Sequence, residues 1–194
     1  DFSGKRILVT GAGKGIGYDI VRYLIQECNG EVVGLSRTQS DLDALRAEYE
    51  CECIQVDLAD VAATREKVAA AGRIDLLVNN AGVSLNGPLE LVPTSEIKQL
   101  MDVNVLGLLT VTQAFLPLLR QSKGRIINIS SGHGLLAIPD KSVYAASKFA
   151  VQAITDSLRV ELCPFDVSVS SIVVGKVDTA VLGKIIADRD KMIE

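Results

Sequence analysis

Hydrophobic and polar positions along this chain follow two alternating rhythms. Short runs rich in β-branched residues, such as Arg6-Ile-Leu-Val-Thr10, Leu76-Leu-Val and Ile126-Ile-Asn-Ile, are apolar on both faces. That is the pattern of strands in a parallel sheet covered on both sides. Between such runs the apolar residues recur at three- and four-residue steps, as in Ile16, Ile20, Val21, Leu24 and Ile25, which is the period of a helix with one buried face. The pattern predicts strands near 6–10, 31–36, 52–57, 75–79, 125–130 and 167–173. It predicts helices near 16–26, 39–49, 61–71, 95–120 and 143–163. Ser40 or Asp41 offers a cap for the second helix, and Pro164 marks the end of the fifth. Strict alternation of strand and helix predicts an α/β architecture, a doubly wound Rossmann-like sheet that is mostly parallel and binds its ligand at the carboxyl edge. No repeat, low-complexity stretch or linker interrupts it, and a length of 194 residues fits a single domain over 1–194.

The first strand runs straight into Gly11-Ala-Gly-Lys-Gly-Ile-Gly17 and then into the first helix. Strand, glycine turn and helix in that order form a phosphate-binding context. Glycines let the backbone approach a pyrophosphate, and the helix start offers unpaired N–H groups with positive partial charge. A second group of residues carries acid–base chemistry. Tyr144 and Lys148 stand four apart, so on a helix they share a face, and Ser131 precedes Tyr144 by thirteen residues. A free tyrosine titrates near ~10, and a fixed ammonium beside it favours the tyrosinate. The set supplies an acid, a cation to tune it and a hydroxyl to hold a carbonyl.

Together these residues resemble the short-chain dehydrogenase/reductase family, and the resemblance extends from Gly4 to about Thr179. The family's glycine motif is matched by Thr10, Gly11, Gly15 and Gly17, with Lys14 and Ile16 inside it. Asp57, followed by Leu58, matches its adenine-side aspartate, and Asn79-Asn80-Ala81-Gly82 matches its N-N-A-G turn. The resemblance implies a catalytic set of Asn104, Ser131, Tyr144 and Lys148. Asn104 would keep a water in line with Lys148, and Lys148 and Tyr144 would also contact the nicotinamide ribose. It further implies that Val177 and Thr179 hold the nicotinamide amide, although Val174 stands where the family usually has proline. Family members continue through one more strand and a C-terminal segment, so the resemblance implies a trimmed chain or a shortened member.

Charge bears on the coenzyme. NAD-preferring relatives carry an aspartate at the end of the second strand; here that region reads Leu35-Ser36-Arg37-Thr38. Arg37 suits a 2′-phosphate, because its planar fork binds such groups bidentately, and Lys14 adds a second cation. NADP(H) is the expected cofactor. A net charge of −4 and the lack of a basic stretch argue against nucleic acid or an anionic membrane as partner. The most apolar region, Val103 to Leu119, is broken by Asn104, Thr110, Thr112, Gln113 and Pro117, which suits a buried helix rather than a membrane segment. Cys28, Cys51, Cys53 and Cys163 form no C-x-x-C and have no histidine nearby, which predicts buried, inert thiols, no metal site and a reducing, cytoplasmic setting.

The expected activity is hydride transfer to a small-molecule ketone or aldehyde, whether a dicarbonyl, a xylulose-like sugar, a steroid or another apolar carbonyl. His133, Ser84, Leu85, Leu135, Leu136 and Ile138 would line its pocket. The alternative is a cofactor-binding regulator that has lost turnover. The resemblance also implies a homodimer or homotetramer through the two long helices, with Val105, Leu108, Leu109, Ala114, Phe149, Gln152 and Leu158 as the apolar surface.

Overall fold

The protein was analysed as a computed structural model that describes residues 2–175; the expected contacts Val177 and Thr179 lie outside the described residues. Six strands form one all-parallel sheet: β1 (Arg6–Thr10), β2 (Glu31–Ser36), β3 (Glu52–Gln55), β4 (Leu76–Asn79), β5 (Arg125–Ser131) and β6 (Ser168–Val174). Their order is β3-β2-β1-β4-β5-β6. The chain winds outward from β1 to β3, returns beside β1 as β4, and winds the other way. Helices α1 (Gly15–Gln26), α2 (Gln39–Tyr49), α3 (Val61–Ala69), α4 (Thr94–Met101), α5 (Leu108–Ser122) and α6 (Ser142–Leu162) make the connections. Crossovers leave β1 and β4 in opposite directions, which opens a crevice above their carboxyl ends.

Burial explains the two-faced apolar strands. Ile7, Val9, Val32 and Val78 pack with Val21, Leu24 and Leu45 of α1 and α2. Leu8, Val33, Leu77 and Ile126 pack with Val68, Phe115 and Leu119 of α3 and α5. Each strand therefore contributes to two cores.

Several local expectations change. The helix expected at 95–120 runs from Thr94 to Ser122 but is interrupted by a π-helical turn over Asp102–Gly107. At this turn a Cβ on Gly107 would lie 2.8 Å from the Leu58 Cβ, so the helix meets the β3 exit loop as closely as glycine permits. Thr38, not Ser40 or Asp41, precedes α2, with no side-chain cap bond, because Ser40 and Asp41 already lie inside the first turn. Stretch 94–122 is long and apolar enough to cross a membrane by length and composition, yet half of its most apolar window is buried inside the fold. Of the thiols, only Cys28 is buried. Cys51 and Cys53 are half-buried with sulfurs 3.8 Å apart, and Cys163 is exposed. The apolar surface expected on the long helices is partly used at home: Leu108 is buried, and Ala114 and Leu158 pack against their own core.

A buried polar chain ties the sheet to its helices. Asn79 Nδ2 donates to Asn128 Oδ1 at 2.9 Å and to Thr112 Oγ1 at 3.0 Å, and Asn128 Nδ2 donates to Thr155 Oγ1 at 2.9 Å. Residues of β4, β5, α5 and α6 are thus bonded directly to one another, while Asn79 Oδ1 stays buried without a partner among the described residues. Asn128→Ala removes one donor and one acceptor from the middle of this chain and strands their partners. The expected loss is about 2–4 kcal/mol, measured as a lowered urea midpoint with an unchanged slope; a loss below about 0.5 kcal/mol would mean that water replaces the amide.

Candidate active site

The crevice begins with a clamp between β1 and the turn after β4. Thr10 Oγ1 accepts the N–H groups of Asn80 and Ala81, both at 3.0 Å. Asn80 Nδ2 in return donates to the carbonyl oxygens of Thr10 and Gly11, at 2.9 and 3.3 Å. Helix α1 starts directly above. A Cβ on Gly17 would stand 2.1 Å from the Gly11 carbonyl oxygen, and Gly11 itself has φ of +67°, so only glycine serves at either position. The result is a cavity of about 460 Å³ lined by Gly11, Lys14, Gly15, Ile16, Gly17, Ser36, Arg37, Asp57, Leu58 and Asn80, together with Gly13, Asp41 and Val83. A cradle that any Cβ would fill, at a helix start with unpaired N–H groups, fits a dinucleotide pyrophosphate.

Both cations expected at the far end of this cavity have acidic neighbours. Lys14 Nζ lies 3.4 Å from Asp41 Oδ2, and the Arg37 guanidinium lies 3.8 Å from Asp57 Oδ2. Lys14, Arg37 and Asp57 are exposed while the Asp41 side chain is only 23% exposed. Pairs with an exposed partner contribute ~0–1 kcal/mol each, so a phosphate can displace the carboxylates. Asp57 also accepts the Ala59 N–H at 3.0 Å, which holds its side chain at the rim.

The second cluster stands where β5 ends and α6 begins. Ser131, the last residue of β5, stands near the Tyr144 hydroxyl, and its Oγ accepts the His133 N–H at 3.2 Å. Tyr144 and Lys148 lie one turn apart on α6. The Lys148 ammonium is buried, donates to the Ile129 carbonyl at 3.0 Å and sits 5.9 Å from the Tyr144 ring centre. It faces the N-N-A-G turn, since a Cβ on Gly82 would lie 3.6 Å from its Nζ. Burial pulls the Lys148 pKa down to about 8. Burial also raises that of Tyr144, while the nearby Ser131 hydroxyl opposes the rise. The His133 ring stands edge-on to Tyr144 at 5.9 Å.

Asn104 lies in the π-helical turn, buried to 2 % exposure. Its Oδ1 accepts the Val83 N–H at 2.8 Å; its Nδ2 donates to the Val83 carbonyl at 2.9 Å and to Ser147 Oγ at 3.1 Å. Ser147 in turn donates to the Tyr144 carbonyl at 2.7 Å. Both amide N–H groups are therefore engaged, and only a second lone pair on Oδ1 remains for a water.

Sequence reasoning placed Thr10 in the glycine motif without its clamping role, and missed Ser147 and Lys141. Ser147 is three residues past Tyr144, a spacing that puts it on the same side of α6 about 60° around the axis, where it meets Asn104. Lys141 is three residues before Tyr144, and its Nζ reaches to 5.5 Å from the Tyr144 ring centre. Asp102, two residues before Asn104, pairs with Lys98.

The sequence pattern of the short chain dehydrogenase family matches residues 5–190, and the chain belongs to that family. It is 36% identical to 17-beta-hydroxysteroid dehydrogenase type 1 of Homo sapiens over 97% of this chain and 61% of that protein. It is 39% identical to the L-xylulose reductase of Mesocricetus auratus over 88% of this chain and 70% of that protein. The chain thus spans roughly two thirds of the length of these curated relatives. Among solved structures, 3-ketoacyl-(acyl-carrier-protein) reductase from Brucella melitensis, complexed with NADH, superposes with a TM-score of 0.91 at 27% identity, covering 98% of this chain and 83% of that one. A metagenomic short-chain oxidoreductase in complex with NADP superposes with a TM-score of 0.84 at 33% identity, covering 96% and 90%.

Because its pKa falls from 10.5 to about 8 on folding, Lys148 weighs against the ligand-free fold. The folded state then binds fewer protons than the unfolded one between those values, so the penalty is present in full below about pH 8 and is relieved as pH rises through that window. Lys148→Met is expected to raise ligand-free stability at pH 7 by about 2–3 kcal/mol and to flatten the rise between pH 8 and 10. Unfolding curves across that range test it; equal pH slopes in both proteins would show that the ammonium is solvated.

Proposed function

We propose that this chain is an NADPH-dependent carbonyl reductase that transfers hydride to a ketone or aldehyde. The observation that carries this reading is the convergence of Ser131 at the end of β5 with Tyr144 of α6, backed by the buried ammonium of Lys148 5.9 Å from the Tyr144 ring centre. Ser131 donates to the substrate carbonyl oxygen and orients it toward the Tyr144 hydroxyl, which delivers the proton. Lys148 favours the tyrosinate left behind and, with Tyr144, holds the ribose of the coenzyme. When bound in the cavity, the nicotinamide supplies the hydride. Asn104 bonds the Val83 strand-exit loop and Ser147 together, which holds α6 at its distance from the coenzyme cavity. A protein that only bound the coenzyme would have no use for a buried ammonium that weakens its fold, and this disfavours the silent regulator.

The choice of NADP(H) rests on Arg37 and Lys14 at the cavity's far end, with Ser36 and Thr38, rather than a carboxylate, flanking Arg37 in sequence at the end of β2. Two observations favour pairing between copies through α5 and α6. Leu106, in the π-helical turn that leads into α5, and Phe149 of α6 are large, apolar and exposed, at 45 and 44%, and Val160 adds to α6 at 75%. A homodimer would cover them.

Tyr144→Phe removes the proton donor and leaves the ring in place. The expected loss in kcat is about 10²–10⁴-fold, with NADPH affinity within about threefold of wild type by nicotinamide fluorescence. Retention of more than a tenth of turnover, with chemistry rate-limiting, would end the proton-donor assignment.

Arg37→Asp removes a phosphate partner and sets a second carboxylate near Asp57. The ratio of kcat/KM for NADPH over NADH is expected to fall by about a hundredfold or more, the worth of one or two charge-assisted bonds. An unchanged ratio would mean that Arg37 stays with Asp57 in the complex.

A further inference from the structure

Among the described lysines, most meet a carboxylate or open water. Lys5, Lys14, Lys98 and Lys123 pair with Asp75, Asp41, Asp102 and Asp166, and Lys67 is exposed. Lys141 and Lys148 do neither. Both flank the Tyr144 ring, at 5.5 and 5.9 Å from its centre. Lys148 faces the N-N-A-G turn of the coenzyme cavity. Lys141 precedes α6 on a different side, next to Ser84 and Asn86 in the loop that follows that turn.

The partners of Lys141 are neutral. Its Nζ donates to Asn86 Oδ1 and to Ser84 Oγ, the latter at 3.4 Å, and it lies over the Tyr144 ring. Such partners orient an ammonium without cancelling its charge, whereas a carboxylate would do both. The side chain is partly withdrawn from water, and that burial depresses its pKa. A half-buried cation without a carboxylate partner among the described residues is unfavourable by itself and becomes favourable when an anion arrives. Apolar surface lies close in sequence: Leu135, Leu136 and Ile138 are 63, 67 and 44% exposed.

We infer that Lys141 is a specificity-determining residue that binds an anionic group on the carbonyl substrate, and that the substrate class is an oxo acid with an apolar body. This rests on the proposed reductase activity and adds the charge of the substrate. A carboxylate is the group committed to; a phosphate offers the same anionic oxygens.

Matched probes isolate the charge. Acetoacetate and its methyl ester share one ketone, as do dihydroxyacetone phosphate and dihydroxyacetone. For wild type, kcat/KM is expected to favour acetoacetate over the ester by about tenfold or more, the worth of one charge-assisted hydrogen bond. Lys141→Met should abolish that ratio chiefly through KM for the acid, and Lys141→Arg should keep it within about threefold. A phosphate pair that shows the larger ratio would assign the anion to phosphate and overturn the carboxylate. A wild-type ratio near one would overturn the inference while the ester's turnover leaves the reductase reading intact. An acid preference that survives in Lys141→Met would place the anion's partner elsewhere and also overturn it. If no carbonyl is turned over, the reductase reading fails first. Binding of butanoate against methyl butanoate to the NADPH-saturated protein, read by nicotinamide fluorescence, then decides the role of Lys141 independently.

Discussion

An all-parallel sheet must satisfy the polar groups at its carboxyl edge with little help from water, and the rest of this structure depends on how that is done. At the ends of β1, β4 and β5 stand Thr10, Asn79, Asn80 and Ser131, and Asn128, in the middle of β5, lies beside Asn79. Thr10 and Asn80 exchange bonds across the first two strands, and Asn79 and Asn128 join the next two to their covering helices. A buried donor or acceptor left unpaired costs about 1–3 kcal/mol, so these residues admit few relative placements of the strands and helices. The edge is therefore rigid where the two clusters of the site are attached to it.

The second cluster inherits its geometry from that edge. Ser131 is the last residue of β5, and Lys148 donates to Ile129 of the same strand, so α6 is held against β5 by a catalytic-type side chain as well as by its apolar face. The same burial that positions the ammonium weakens the ligand-free fold, a common arrangement where a site needs a perturbed group. The π-helical turn shows a related compromise. It gives up regular α-helical pairing over Asp102–Gly107, and it presents Asn104 where one amide can bridge the Val83 loop and Ser147.

Electrostatics divide the site into three regions. At the far end, Lys14 and Arg37 stand beside Asp41 and Asp57, in pairs whose cations are exposed and whose carboxylates a phosphate can displace. At the centre, Lys148 is alone among neutral groups. At the third position, Lys141 is held by neutral acceptors beside Tyr144. Among the described residues, only the first region has its charge balanced. The other two carry positive charge that ligands with negative or developing negative charge would answer.

Much of this was legible in the sequence, for physical reasons. Doubly buried strands must be apolar throughout, so Leu76-Leu-Val and Ile126-Ile-Asn-Ile announced a parallel sheet. The glycine turn at Gly11–Gly17 could be read because only glycine fits beside the Gly11 carbonyl. The four-residue spacing of Tyr144 and Lys148 follows from the helical period alone. What tertiary structure decided are contacts between residues far apart in the chain, which no local period encodes. The Asn104–Val83–Ser147 bridge, the pairing of Lys14 with Asp41, and the meeting of Lys141 with Ser84 and Asn86 all join distant segments. The π-helical turn belongs with them, since residues 94–122 read as one apolar helix until Gly107 is brought against Leu58. Sequence period specifies which face of an element is buried; only packing specifies which polar groups meet there.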